Sequence, residues 1–203
     1  MKNKNLVIGC SVAGGIVLLI IIGLVSWGIS TYNGLVSMNE HVNESWSQVE
    51  NQYQRRADLI PNLVNTVKGY ANFEKSTLVD VTNARAKVSQ LNVSSDVLNN
   101  PQAFQKFEQA QSQLGGALSR LLVTVERYPN LKANQSFLDL QAQLEGTENR
   151  IAVERRRFNE VVQTYDTRIK SFPASTIAGM YGFGYKQYFK SVAGAQTPPK
   201  VQF

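Results

Sequence analysis

The chain opens with an uninterrupted apolar stretch, and apolar residues then recur at helical spacing along most of the remaining sequence. Residues 6–28 carry no charged side chain, and the first charge after Lys4 is Glu40. A helix of this length rises about 35 Å, enough to cross a hydrocarbon layer of about 30 Å. Trp27 and Tyr32 lie near its end, where aromatic side chains favour a membrane interface. The pattern therefore predicts a transmembrane helix over residues 6–28.

A cleaved signal peptide is the alternative interpretation of this stretch. The apolar region of a signal peptide is usually about 7 to 15 residues long and ends in small residues. This stretch is longer, and Val25-Ser26-Trp27 is a poor cleavage site. Lipidation at Cys10 would need a longer apolar run before the cysteine. We therefore expect a retained membrane anchor.

The charges that flank the span predict its orientation. Lys2 and Lys4 precede it, and no Lys or Arg follows it before Arg55. Because positively charged flanks stay in the cytoplasm, we expect the N-terminus inside and the following domain outside the cytoplasm.

Two rows of residues spaced seven apart follow the span. Most of their members are apolar, as expected for a helix packed along one face. Pro61 falls inside this register without shifting it, so we expect a kink within one long helix that continues to Leu91, and a break at Pro61 is the alternative. The rows are Tyr32, Asn39, Trp46, Tyr53, Ile60, Val67, Glu74, Val81 and Val88, and Leu35, Val42, Val49, Arg56, Leu63, Tyr70, Thr77, Ala84 and Leu91.

Three further helices are predicted after a loop over residues 92–100. The second runs from about Pro101 to Arg127, with an apolar stripe of Phe104, Phe107, Leu114, Leu118, Leu121 and Val125. The third begins near Ala133, with Asn134 or Ser136 as its cap, and Pro173 ends it. Its apolar row, spaced at sevens, is Phe137, Leu144, Ile151, Phe158, Tyr165 and Phe172.

A short final helix is expected to be capped by Ser175 or Thr176. It would carry Ile177, Met180, Tyr181, Tyr185, Tyr188 and Phe189. The fold class is therefore all-α: an N-terminal transmembrane helix followed by an antiparallel, four-helix type of bundle built from long helices. The expected domains are a flank (1–5), the span (6–28), the bundle (30–190) and a flexible tail (191–203).

The composition argues against several functional classes. The formal net charge of +6 is scattered among acidic neighbours, which favours solvated helix surfaces over a nucleic-acid interface. Cys10 and His41 are the only cysteine and histidine, too few for a zinc site, a Ser-His-Asp triad or a Cys-His pair. The carboxylates of the third helix lack the Glu-x-x-His spacing of a metal-binding bundle, so we expect them to face solvent: Glu145, Glu148, Glu154 and Glu160. We predict no catalytic residue, metal site or cofactor.

An ordered set of motifs resembles the LemA family. It comprises Tyr32-Asn-Gly-Leu-Val36, Arg55 to Glu74, Glu126 to Asn134, Thr147-Glu-Asn-Arg-Ile151, Arg155-Arg-Arg-Phe-Asn159 and Phe172-Pro173. The resemblance covers nearly the whole chain to about Phe189. It implies a bacterial, membrane-anchored helical bundle, and it brings no established set of catalytic residues. Members of the family are also described with the short N-terminus outside, the opposite of the orientation above.

Two stretches are candidate structural or partner-binding sites. The first comprises Arg55, Arg56, Asp58, Pro61 and Asn62, whose polar groups we expect to satisfy backbone carbonyls near the proline, with a surface ion-pair patch or a partner site as alternatives. The second is aromatic and glycine-rich: it either fills the end of the bundle or forms a partner or membrane-interface surface. Its residues are Tyr181, Phe183, Tyr185, Tyr188 and Phe189.

The functional hypothesis is a non-enzymatic scaffold or adaptor of the cell envelope that acts through helix–helix association. Small residues four apart in the span, such as Gly9 and Ala13, permit close packing of helices in lipid, although they are also common in any span. The expected partners are the lipid bilayer, an unknown protein and, as an open alternative, further copies of this chain. The competing hypotheses are a regulatory subunit of a membrane protease or transporter and a carboxylate-based enzyme.

Overall fold

The computed structural model describes the backbone of residues 2–70, 74–91 and 94–190, and the side chains of those ranges from Ala13 onward. In this part of the chain the protein is all-α, which confirms the predicted fold class: a long helix with an apolar N-terminal part, then bundle-like helical packing. The predicted tail lies outside the described residues. The helices are α1 (Lys2–Lys68), α2 (Lys75–Ser89), α3 (Pro101–Val125), α4 (Pro129–Lys132), α5 (Gln135–Lys170) and α6 (Ala174–Tyr181), with a 3-10 helix at Ser95–Asn99.

Helix α1 contains Pro61 without ending there, so a break at the proline is wrong. The expectation that the helix continues to Leu91 is also wrong, because α1 ends at Lys68. Gly69 follows, and glycine is a poor helix former. The Tyr70 N–H then donates to the Val67 carbonyl at 3.1 Å and closes a turn. The seven-residue spacing hid this turn because residues of the same rows are also buried in α2: Thr77, Val81, Ala84 and Val88.

Helix α3 begins as the sequence predicts. Pro101 occupies its first turn, and the Asn100 side chain accepts the N–H groups of Gln102 and Ala103, each at 3.1 Å. An asparagine cap of this kind satisfies N–H groups that have no partner inside the helix. The predicted apolar stripe of α3 is buried throughout.

Helix α5 is capped by Asn134, whose Oδ1 accepts the Phe137 N–H at 3.0 Å. Its predicted row is buried from Phe137 to Tyr165, but the sixth member, Phe172, is 85% exposed. The inclusion of Phe172 in the core is therefore wrong. Helix α5 ends at Lys170, and the residue before a proline is sterically biased away from helical conformation.

The last helix differs from its prediction at both ends. It starts at Ala174 directly after Pro173, so neither Ser175 nor Thr176 caps it, and it ends at Tyr181. Gly182 has a φ of 73°, a left-handed conformation that favours glycine. The Phe183 N–H donates back to the Ala178 carbonyl at 3.0 Å. This Schellman-type turn leaves Tyr185, Tyr188 and Phe189 outside the helix.

The chain divides into two compact units. The smaller unit contains the residues up to His41 together with Thr164–Tyr185, and its buried residues include Thr31, Leu35, Tyr165, Ile169, Ala174 and Ala178. The larger unit contains Val42–Gln163 and the segment that starts at Lys186. Its main apolar core lies between α1, α2, α3 and α5, and centres on residues such as Leu63, Val81, Leu114, Leu121 and Leu144.

Candidate functional site

The first candidate stretch does not form one surface. Arg56 is buried, with 3% of its surface exposed, whereas Arg55, Asp58 and Asn62 are exposed. Neighbouring residues point about 100° apart around a helix of 3.6 residues per turn, so Arg55 and Arg56 face different surroundings. The surface ion-pair interpretation is therefore wrong for Arg56, which occupies an otherwise apolar row.

The Arg56 guanidinium joins three helices of the larger unit. Its Nη1 donates to Glu148 Oε1 on α5 at 2.6 Å. Its Nη2 donates to Gln111 Oε1 and, at 3.4 Å, to the Gln111 carbonyl, both on α3. The guanidinium carbon also lies 5.1 Å from the centre of the Tyr53 ring, within cation–π distance. These contacts make a charge-assisted cross-link between α1, α3 and α5.

The exposure of the two ionic partners is unequal. The Arg56 side chain is 4% exposed, but the Glu148 side chain is 47% exposed. The expectation that Glu148 faces solvent is thus correct for about half of the side chain, and its carboxylate also neutralises a buried cation. The sequence offers no sign of this pairing, because the partners lie 92 positions apart.

Burial also changes the acidity of the neighbouring tyrosine. Removal from water raises the pKa of Tyr53 above its ordinary value of 10.0, because burial penalises the phenolate form. The charges of Arg155 and Arg56 oppose this increase in pKa, while those of Glu148 and Glu108 support it. Tyr53 therefore remains neutral at physiological pH and supplies an apolar ring to the interior.

Pro61 creates a backbone problem that a distant residue solves. Proline has no N–H group, so the carbonyl four residues earlier, that of Ala57, loses its usual helical donor. The Arg85 Nε on α2 donates to this carbonyl at 3.0 Å. The sequence-based expectation that a polar side chain hydrogen-bonds to a backbone carbonyl near the proline is thus correct. The residue is Arg85, however, and not one of the polar neighbours on α1.

The second candidate stretch separates into two parts. Phe189 is buried in the larger unit, where its ring stacks at 5.9 Å and 19° on Trp46. Phe104 and Phe158 approach the same ring at centroid distances of 5.1 and 5.6 Å. Aromatic rings at such distances attract one another, and this attraction stabilises the fold in addition to the burial of their apolar surface. Phe189 therefore fills the interior of the larger unit, which agrees with the interpretation that the aromatic stretch fills the end of the bundle.

Polar contacts fix the backbone beside Phe189. The Asn159 Nδ2 donates to the Phe189 carbonyl at 2.9 Å, and the Phe189 N–H donates to Asn159 Oδ1 at 3.0 Å. The Arg155 guanidinium covers the outer face of the cluster, 4.4 Å from the Phe189 ring centre. The Lys186 Nζ donates to Asn99 Oδ1 at 2.9 Å. Arg155 and Asn159 thus hold the non-helical segment around Phe189 in place. Their position in a charged motif did not predict this role.

The other aromatic residues belong to the smaller unit or remain at the surface. The Tyr181 and Phe183 rings lie 4.6 and 5.8 Å from the ring of Tyr32. Tyr181 and Tyr185 are 61% and 60% exposed, and Tyr188 is half-buried. These residues therefore do not fill an interior, and the surface interpretation remains open for them.

No group of three or more His, Cys, Asp or Glu side chains occurs among the described residues in an arrangement that would hold a metal ion. The Arg56 Nη1 and Nη2 atoms hydrogen-bond to Glu148 on α5 and to Gln111 on α3. Among the buried side-chain nitrogen and oxygen atoms in the described part of the larger unit, Arg56 Nε and Gln52 Oε1 lack a hydrogen-bond partner. The polar cluster is therefore best described as a structural cross-link.

Comparison with known proteins identifies the family. The profile of the LemA family matches residues 45–203, most of the sequence. The chain belongs to the LemA family. Magnetosome proteins MamQ 1 and MamQ 2 of Paramagnetospirillum magneticum are each 25% identical over 194 residues, covering 88% of this chain and 71% of theirs. Magnetosome protein MamQ of Magnetospirillum gryphiswaldense is 27% identical over 183 residues, covering 82% of this chain and 67% of its own.

Helix α1 is the one helix in the described part of the chain that is long and apolar enough to cross a membrane. The side chains of its apolar part are exposed from Ile16 to Ile29, which suits contact with lipid. This LemA-family chain is therefore a membrane-associated, predominantly helical protein.

Proposed function

We propose that the protein is a non-enzymatic scaffold or adaptor of the bacterial cell envelope, anchored by the N-terminal part of α1. The observation that carries this proposal is the use of the buried polar groups. Arg56 is engaged by Gln111 and Glu148, and Arg85 by the Ala57 carbonyl. Because these groups hold helices together, the interior supports a rigid helical framework better than it supports a reaction centre.

The outer surface of the larger unit offers positions for helix–helix association. Val123 on α3 is 70% exposed, Val79 on α2 is 54% exposed, and Leu138 on α5 is 42% exposed. Apolar side chains on otherwise polar helices are suitable anchors for a partner helix. The relatives carry the name magnetosome protein, which names no chemical reaction.

We also place the span in the inner membrane, with the bundle outside the cytoplasm, on the positive charge of Lys2 and Lys4. An Asp96→Cys variant tests this orientation, since Asp96 is exposed. A membrane-impermeant maleimide should label it in intact spheroplasts. Labelling only after lysis would reverse the orientation.

Photocrosslinking of the full chain in native membranes tests the scaffold. A photoreactive phenylalanine analogue at Val79 should give discrete adducts, identified by mass spectrometry, and the partners should be several proteins. Val123→Glu should abolish those adducts if both valines belong to one association surface. Asn149→Glu, at an exposed position of α5, is the control. Absence of adducts at Val79 would contradict the proposal.

A regulatory subunit is the second candidate, and the same experiment separates it from the scaffold. It would give one dominant partner with a recognisable protease or transporter activity, and that activity would change in the Val123→Glu variant. Among the described residues of the larger unit, no surface favours this candidate over the first.

A further inference from the structure

The smaller unit carries a concentrated apolar surface around α6. No charged residue occurs between Lys170 and Lys186 in the sequence. Four side chains of this segment are largely exposed, and we call them the α6 surface: Phe172 (85%), Met180 (73%), Tyr181 (61%) and Tyr185 (60%). Exposed apolar residues are ordinary when scattered, but a contiguous group marks an interaction site.

The larger unit shows that this concentration is not general. Among its described residues, the exposed large hydrophobic side chains are Val79, Val123 and Leu138. They come from three different helices, and no two of them are close in sequence. The α6 surface instead places four such side chains within fourteen consecutive residues, 172 to 185.

Contacts within the smaller unit place α6 close to the end of the span. Tyr32 lies four residues after Gly28 on the continuous helix α1, a rise of about 6 Å. The headgroup region of a bilayer is roughly 5 to 7 Å thick on each side of the hydrocarbon. Tyr32 therefore falls in the headgroup region, and the Tyr181 ring is 4.6 Å from the Tyr32 ring.

The chemistry of the surface suits this environment. Tyrosine has an apolar ring and a polar hydroxyl, and it is enriched at the interface between hydrocarbon and water. Phe172 and Met180 provide apolar side chains that can enter the upper acyl region. Arg168 and Lys170, exposed in the last turn of α5, provide cations for lipid phosphates beside the aromatic residues.

We propose that the α6 surface lies on the headgroup layer of the bilayer that α1 spans, as a second, interfacial membrane contact. Ala174 and Ala178 are buried, whereas Met180, about 200° from Ala178 around the helix, is exposed on the opposite face of α6 and is available for lipid. This inference does not depend on the scaffold function, because it concerns lipid rather than a protein partner.

Depth-dependent quenching in the full-length protein tests the proposal. A single environment-sensitive NBD label is attached at Met180→Cys or at Val123→Cys, each in a Cys10→Ala background. The two positions are matched in exposure, at 73% and 70%. Both proteins are reconstituted in phosphatidylcholine–phosphatidylglycerol vesicles with and without a lipid that carries a nitroxide close to its headgroup. Iodide serves as the aqueous quencher.

We expect the label at position 180 to be quenched by the nitroxide lipid and to be several-fold less sensitive to iodide than the label at position 123. Equal iodide quenching at the two positions, without lipid quenching, would overturn the proposal. Protection from both quenchers would also overturn it, because the surface would then be covered by protein, such as a second copy of the chain. Labelling at Tyr185→Cys must give the same result if Met180→Cys does not fold.

Discussion

The two units each contain an aromatic cluster, and the clusters differ in what surrounds them. In the larger unit, Trp46 contacts four phenylalanine rings at 5.4 to 6.0 Å, and these five residues are at most 6% exposed: Trp46, Phe104, Phe107, Phe158 and Phe189. In the smaller unit, Tyr32 contacts two rings at 4.6 and 5.8 Å. Tyr32 and Tyr181 nevertheless remain 36% and 61% exposed.

The comparison shows that aromatic content alone does not indicate a role. One stretch, Tyr181 to Phe189, contributes to both clusters. Its residues separate because the backbone at Phe189 is held by Asn159, whereas Tyr181 ends a helix and is followed by a left-handed glycine. One stretch of chain can thus supply a buried ring at one end and an exposed ring at the other.

The largest expected effect comes from removing the central ring of the buried cluster. Trp46→Ala should lower the free energy of unfolding by about 3 to 5 kcal/mol, because it leaves a cavity among the phenylalanine rings. Tyr181→Ala is the control, since Tyr181 belongs to the cluster of the smaller unit and is 61% exposed. Chemical denaturation in detergent micelles, followed by circular dichroism, measures both. Similar losses would show that the two clusters do not differ in the way described.

A smaller effect is expected at the ionic cross-link. Glu148→Gln removes the negative charge that faces buried Arg56, and hydrogen bonds to charged groups contribute about 1.5 to 3 kcal/mol. Because the Glu148 side chain is 47% exposed, water lessens the loss, and we expect about 1 kcal/mol.

The control for this change is on the same helix. Glu145 is exposed and accepts a hydrogen bond from Gln141 Nε2 at 2.9 Å. Glu145→Gln should change the free energy of unfolding by less than about 0.5 kcal/mol. Equal denaturation midpoints for both variants would mean that solvent fully replaces the Glu148 contact.

Helix content and much of the core were predictable from the sequence because burial repeats with helical periodicity. The row from Phe137 to Tyr165 and the stripe of α3 are buried as predicted. The turn after Lys68 was missed because the seven-residue spacing persists across it. Phe172 was misassigned for the same reason: the spacing continues past the end of α5, while the local effect of Pro173 ends the helix.

The polar contacts were less predictable, because they join residues far apart in sequence. Arg56 and Pro61 both belong to the first candidate stretch, for which the sequence predicts polar contacts near the proline. Their partners, Glu148 and Arg85, depend on how α5 and α2 pack against α1, and periodicity carries no such information. The sequence can therefore indicate that a buried polar group needs a partner without naming it.

At neutral pH the smallest effect is expected from the buried tyrosines, which instead cause a pH dependence that distinguishes them from surface tyrosines. Burial raises the pKa of Tyr53 in the larger unit above 10.0 and that of Tyr165 in the smaller unit to about 12. Up to about pH 9, a tyrosine is neutral in both the folded and the unfolded chain, so the stability contribution is complete. Above pH 10 the unfolded chain loses these protons first. The free energy of unfolding must therefore fall as the pH rises towards the folded-state pKa.

Tyr53→Phe should remove part of this alkaline loss while changing the stability at neutral pH very little, because the ring remains. Tyr165→Phe should remove another part, and Tyr181→Phe, at a position 61% exposed, is the surface control. Denaturation midpoints between about pH 8 and 11 measure the slope for each variant. A slope unchanged by both buried substitutions would show that other groups cause the alkaline loss. A slope reduced as much by Tyr181→Phe as by Tyr53→Phe would contradict the distinction between the buried and the exposed cluster.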